Sequence, residues 1–176
     1  MEVVPFRPEF TSGVLDLIVG IQREEFSLDI TAEQQPDLND IPGFYQVRGG
    51  NFWVALASGR VVGTIALLDI GERQGALRKM FVHRDFRGPG AGTAQRLLSE
   101  LLAWARSAGI REIFLGTTAK FLAAHRFYAK NGFSEIAQSA LPPAFPIMAV
   151  DTRFFHRAVA APAAAGARGE TRHGPW

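Results

Sequence analysis

Residues 82–94 read Val82-His83-Arg84-Asp85-Phe86-Arg87-Gly88-Pro89-Gly90-Ala91-Gly92-Thr93-Ala94. An apolar run, Ala76 to Val82, leads into this segment and reads as a strand. A helical repeat follows it, with Ala94, Leu97, Leu98, Leu101, Leu102 and Ala105 on one stripe and Gly109 as the stop. The order is strand, glycine-dense turn, amphipathic helix. Small residues let an anionic ligand reach the backbone, turn N–H groups point at it, and the helix N-terminus adds about half a positive charge. Arg87 can supply a further cationic contact. Pro89 has no N–H and offers shape without a hydrogen bond. The plainer reading is a turn that uses glycine for geometry alone.

Two familiar phosphate motifs fail on the same residues. A P-loop needs Lys-Ser/Thr after its last glycine, and here Thr93-Ala94 follows. A dinucleotide fingerprint needs GxGxxG after a βαβ opening; these glycines stand two apart, and hairpins precede them. Phe52 to Ala57 and Val61 to Leu68 read as strands joined at Ser58-Gly59, with a second turn over Gly71 to Gly75. Upstream, Val3 to Phe6 is a short strand. Ser12 is placed to cap a helix carrying Val14, Leu17, Ile18 and Ile21, and Thr31 to Asn39 suits a shorter one before Pro42-Gly43 breaks the chain. Downstream come a buried strand at Ile113 to Leu115, a helix from Phe121 to Lys130, and a last strand pair over 133–136 and 148–154.

The 176 residues are 47% apolar and 20% charged, enough for one domain with a real core. There is no cysteine, which excludes disulfides, thiolate nucleophiles and Cys-ligated zinc. The four histidines never fall at metal-ligand spacing, so no metal site is expected. Glu2 stands where a signal peptide would be basic, and no apolar run approaches the ~20 residues of a membrane helix, so a cytoplasmic protein with no membrane association is expected. The net charge of +2 hides an asymmetry. Residues 1–72 hold four basic and eleven acidic side chains, and residues 73–130 hold eleven basic and three acidic ones. No helix-turn-helix or RNP-like pattern accompanies the basic third, and no nucleic-acid partner is expected.

The sequence resembles the GCN5-related N-acetyltransferase (GNAT) superfamily. Arg87-Gly88-Pro89-Gly90-Ala91-Gly92 fits that family's R/Q-x-x-G-x-G/A motif behind the strand Leu77 to Val82. A second match lies at Ala124-His125-Arg126-Phe127-Tyr128-Ala129-Lys130-Asn131-Gly132-Phe133, similar to the family's A-x-x-F/L-Y-x-x-x-G-F helix and turn. The resemblance implies an α/β (α+β) fold with a mixed, mostly antiparallel sheet flanked by helices. It spans residues 1–157, with 158–176 a flexible tail rich in Ala, Gly and Pro. It further implies acetyl-CoA or another acyl-CoA as donor, no metal, and a primary amine of a small molecule or peptide as acceptor. A homodimer is compatible with it.

By the family's pattern, backbone groups of Phe81 and Val82 bind the pantetheine arm, and Arg87, Gly88, Gly90, Ala91, Gly92 and Thr93 bind the pyrophosphate. Tyr128 is the implied general acid, although a tyrosine at this helical spacing is often simply a core residue. Phe121 takes a place where many relatives have a cofactor-contacting Asn, and it carries no polar role. Base candidates are Glu72, Asp69, Glu24 and Glu25, none favoured over a surface role. The acceptor site is expected from the first helix, the segment 29–48 and the loop 140–146. There Glu24, Glu25, Asp29, Glu33, Asp37 and Asp40 would prefer a cationic amine unless they merely face solvent. A non-catalytic acyl-CoA-binding module and a nucleic-acid-binding domain are the competing readings.

Overall fold

The computed structural model describes residues 1–163. Seven strands form one sheet: β1 (Glu2–Pro5), β2 (Asn51–Ala57), β3 (Arg60–Gly71), β4 (Gln74–Val82), β5 (Glu112–Thr117), β6 (Ser134–Ile136) and β7 (Arg153–Ala158). Their spatial order is β1-β2-β3-β4-β5-β7-β6, and only the β4–β5 pair is parallel. The β2–β3 and β3–β4 hairpins turn through Ser58-Gly59 and Glu72-Arg73, all four with positive φ. Such turns match the right-handed twist of the flanking strands.

Helices cover both faces. α1 (Thr11–Glu24) buries Val14, Leu17, Ile18 and Ile21 against Val54, Val61 and Ala66. The short turns α2 (Pro36–Asn39) and α3 (Ile41–Phe44) complete that face through Leu38, Ile41 and Tyr45. On the other face α4 (Thr93–Ser107) buries Leu97, Leu98, Leu101 and Ala105. It approaches closely at Gly63, where a Cβ would stand 3.0 Å from Leu97 and 3.2 Å from Thr93. α5 (Leu122–Lys130) joins it and is anchored through His125. Arg153 donates to His125 Nδ1 at 2.8 Å, so Nε2 carries the proton given to the Thr118 carbonyl at 2.9 Å.

Four local expectations change. Ser12 caps nothing: the helix starts at Thr11, two residues earlier than such a cap would place it, and Thr11 Oγ1 donates to the Pro8 carbonyl at 2.7 Å. Pro42-Gly43 sits inside α3, where Pro at the first turn is tolerated and Asp40 accepts the Gly43 N–H at 3.0 Å. The last strand begins at Arg153, because Asp151 accepts the Met148 N–H at 2.9 Å and folds that apolar stretch into a turn. The domain also outlasts residue 157. Ala158 closes β7 and Val159 is buried in the core, while residues 164–176 of the expected tail lie outside the described residues.

Candidate active site

β4 and β5 pair over only three positions, Gln74↔Glu112 to Ala76↔Phe114. β4 runs on to Val82 and β5 to Thr117, and the far edge of β5 is taken by β7. From Leu77 and Leu115 onward the facing edges therefore have no strand between them, and a wedge-shaped cleft opens through the sheet. Main-chain groups along such an edge suit an extended, amide-bearing ligand that lies there as a further strand.

A β-bulge shapes this half of β4. The register with β3 passes from Ala66↔Arg78 to Thr64↔Phe81, so Ile65 faces both Lys79 and Met80. Lys79 has φ +54°, left-handed backbone that costs a side-chain-bearing residue about 1–2 kcal/mol. Two contacts hold it there. Thr64 Oγ1 donates to the Lys79 carbonyl at 2.7 Å, and the Lys79 ammonium lies 3.2 Å from the buried Asp37 carboxylate. Tyr45 donates to the same carboxylate at 2.6 Å. Burial lowers the Lys79 pKa against the opposing pull of Asp37, and burial pushes the Tyr45 phenol far up.

Strand alternation decides which backbone groups reach the cleft. The His83 N–H donates to the Val62 carbonyl at 2.8 Å, so the groups of Phe81, two residues back, also face β3. Those of Met80 and Val82 face the cleft. The pair expected at Phe81 and Val82 is thus Met80 and Val82, a phase that adjacency in sequence cannot supply. The Val82 carbonyl already accepts Arg87 Nε at 2.7 Å, which leaves its N–H for a ligand.

At the end of β4 a short turn over Arg84–Phe86, capped by His83 Nδ1 accepting the Asp85 N–H at 3.3 Å, leads into the glycines. Gly88 and Gly92 have φ +88° and +65°, conformations glycine adopts without strain. Cβ atoms added at Gly88, Gly90 or Gly92 would meet nothing within 4 Å, so the space above the turn is open. Gly92 precedes α4 with no side-chain cap. The N–H groups of Thr93, Ala94 and Gln95 have no intrahelical acceptor and make the cradle. Ala91 is half-buried within the turn, and Thr93 offers only its N–H, since its buried hydroxyl meets Met1 Sδ at 3.1 Å. Arg87 is the exception. Its guanidinium lies 2.7 Å from Glu25, so the extra cationic contact expected of it is already spoken for.

Tyr128 lies in α5 among Phe133, Phe127 and Phe155, with ring centroids 5.5, 5.7 and 6.1 Å away. Its hydroxyl has no hydrogen bond to another described residue. Burial alone pushes its pKa far up, so the phenol keeps its proton across the working range. Phe121 stacks on Phe26 at 4.5 Å, and Phe26 reaches Phe81 at 6.5 Å, an aromatic bridge from the end of α1 to the start of α5.

The base candidates and the acidic wall fare differently. Asp69 is a structural acceptor for Gly49 and Gly71, and Glu72 sits at a hairpin tip. Glu25 is paired with Arg87, Asp37 with Lys79, and Asp40 caps α3. Glu24, Asp29 and Glu33 face solvent. Of the carboxylates expected to line an acceptor site, Glu24 and Glu33 border a hollow between α1 and residues 31–33 together with Asp16. The structure also brings forward Met80, Thr64, Arg78 and Asp151. The one sequence signal for them was the adjacent pair Arg78-Lys79 inside an apolar strand, which breaks its alternation.

The profile of the Acetyltransferase (GNAT) family matches residues 15–133. N-acetylaspartate synthetase of Xenopus tropicalis is 37% identical over 102 residues, 57% of this chain and 37% of that protein. The chain thus spans little more than a third of that curated relative. The crystal structure of an acetyltransferase of GNAT family from Staphylococcus aureus Mu50 superposes with a TM-score of 0.84 at 34% identity, covering 90% of this chain and 99% of that one. N-acetylglutamate synthase from Neisseria gonorrhoeae, complexed with coenzyme A and N-acetyl-glutamate, shares the fold at a TM-score of 0.68 and 17% identity, covering 90% of this chain and 35% of that one. With the splayed β4–β5 pair and the glycine turn at the head of α4, these matches make the chain a member of the acetyltransferase (GNAT) family.

Proposed function

We propose that this protein is an acyl-CoA-dependent N-acetyltransferase that moves an acetyl group from acetyl-CoA to a primary amine by direct attack. The observation that carries this reading is the cleft between β4 and β5 opening directly above the uncapped N-terminus of α4. The residues suit a coenzyme A arm. Met80 and Val82 offer strand-edge N–H groups to an amide-bearing chain, and residues 88–93 offer glycine backbone and helix N–H groups to phosphates. When bound, acetyl-CoA would supply an activated acetyl thioester. The neutral amine nitrogen bonds to the acetyl carbon as the C–S bond breaks; the electron pair leaves with sulfur, and the proton lost by the amine passes through solvent to the thiolate. Tyr128 donates a hydrogen bond toward that sulfur. Its high pKa makes it a better charge-stabilising donor than a source of a fully transferred proton.

Acetyl-CoA should raise the melting temperature, because it binds only the folded state. Tyr128→Phe should lower kcat about tenfold or more with that thermal shift retained. No shift at millimolar acetyl-CoA overturns the reading. A shift without coenzyme A thiol release from any amine favours a non-catalytic acyl-CoA-binding module.

A further inference from the structure

The bulge in β4 turns two consecutive cations to the face covered by α1, α2 and α3. Lys79 is held by Asp37, but Arg78 enters no ion pair among the described residues. Its guanidinium lies 5.8 and 6.0 Å from the ring centroids of Phe44 and Tyr45, and its one side-chain hydrogen bond goes to Met148 Sδ at 3.5 Å, a weak acceptor. A half-buried guanidinium so placed is a ready seat for a carboxylate.

The opposite lip carries the complementary charge. Two steps past the last β4–β5 pair, Ala76↔Phe114, the register sets Arg78 across the cleft from Gly116. The Asp151 carboxylate lies over Gly116 so closely that any side chain at 116 would collide with it. Asp151 is half-buried; burial raises its pKa, while the Met148 N–H and then the Arg78 charge pull it down. Arg78 and Asp151 share only Met148, whose N–H goes to Asp151 at 2.9 Å and whose sulfur meets Arg78. Beside them Phe44, Met148 and Val150 are 38%, 44% and 55% exposed, a large apolar rim on a loop and a short turn.

We propose that the acceptor is a free amino acid with an apolar side chain, its carboxylate on Arg78 and its amino group on Asp151 across the cleft mouth, the ammonium releasing its proton to solvent before the neutral amine attacks. This rests on the N-acetyltransferase reading above. The two lips match a zwitterion in charge, and the rim matches its side chain. A second carboxylate, as in aspartate, would find Lys79 already neutralised by Asp37, so this site differs in kind from one built for an acidic amino acid.

The test uses the full chain with acetyl-CoA, thiol release as the readout, and leucine, leucinamide, isopentylamine and aspartate as acceptors. Leucine should exceed each of the others in kcat/KM by about tenfold or more. Arg78→Gln should remove that preference through KM, Arg78→Lys should restore part of it, and Asp151→Asn should weaken every amine. An unchanged acetyl-CoA thermal shift shows each variant folded. Leucinamide, isopentylamine or aspartate used as well as leucine overturns the assignment, as does a preference that survives Arg78→Gln. No turnover of any of the four overturns it too, and the acetyl-CoA shift of the unaltered protein then tells whether the donor reading falls with it.

Discussion

The two halves of β4 belong to one strand but are held in opposite ways. Gln74 to Ala76 are fixed from both sides, by β3 and by β5, and Ala76 is sealed among Phe114, Phe145 and Phe154. Leu77 to Val82 have lost β5 and are held from one side by polar devices. Thr64 clamps the bulge carbonyl, Asp37 holds Lys79, and Arg87 takes the Val82 carbonyl. Where a strand lets go of its neighbour to make room for a ligand, the packing of Leu77 and Val82 holds its side chains but no longer its outer backbone edge. Hydrogen bonds and a buried ion pair take over, at the cost of desolvating charge.

Asp37→Asn is the strongest way to break this contrast. It leaves Lys79 buried without its counter-charge and should cost about 3 kcal/mol in urea unfolding, together with activity. An unchanged midpoint would mean that the splayed half does not depend on the pair.

An effect nearly as large is expected on alkaline titration. The chain has two tyrosines, and burial raises both phenols, Tyr45 beneath the splayed half and Tyr128 under β5. A raised folded pKa gives stability that is complete below the unfolded value, about pH 10, and lost as pH climbs above it. Each phenol should then contribute a loss of about 1.4 kcal/mol per pH unit, and phenolate absorbance should appear only with unfolding. Phenolate absorbance in the native protein near pH 10 would show that one ring is far less enclosed than its packing indicates.

Thr64→Val sharpens the comparison at smaller scale. It removes only the donor to the Lys79 carbonyl, and should cost about 1 kcal/mol while reducing activity more than stability, because the bulge relaxes. Equal losses in both would make the clamp a plain structural contact.

Much of this was legible in order along the chain. Gly88-Pro89-Gly90-Ala91-Gly92 before the leucine stripe marked the cradle, because left-handed turns and helix starts are local events written in neighbouring residues. Tyr128 was singled out only through the resemblance of residues 124–133 to a family motif. The Phe81–Val82 pair was misphased by one residue because hydrogen-bond direction depends on the partner strand's register. Of the acidic residues, Glu25 and Asp37 found cationic partners 62 and 42 positions away, pairings that no local pattern announces.

By itself, then, the sequence determined most secondary elements and the glycine turn, since each rests on periodicity or on backbone freedom within a few residues, while the mixed sheet was expected only through the resemblance to a family. Only the tertiary structure decided which charges are spent and which are free. It cancelled Arg87 against Glu25 and Lys79 against Asp37, and it left Arg78 with no ion pair among the described residues. Charge pairing is set by distances between residues far apart in the chain, and those distances exist only once the sheet has formed.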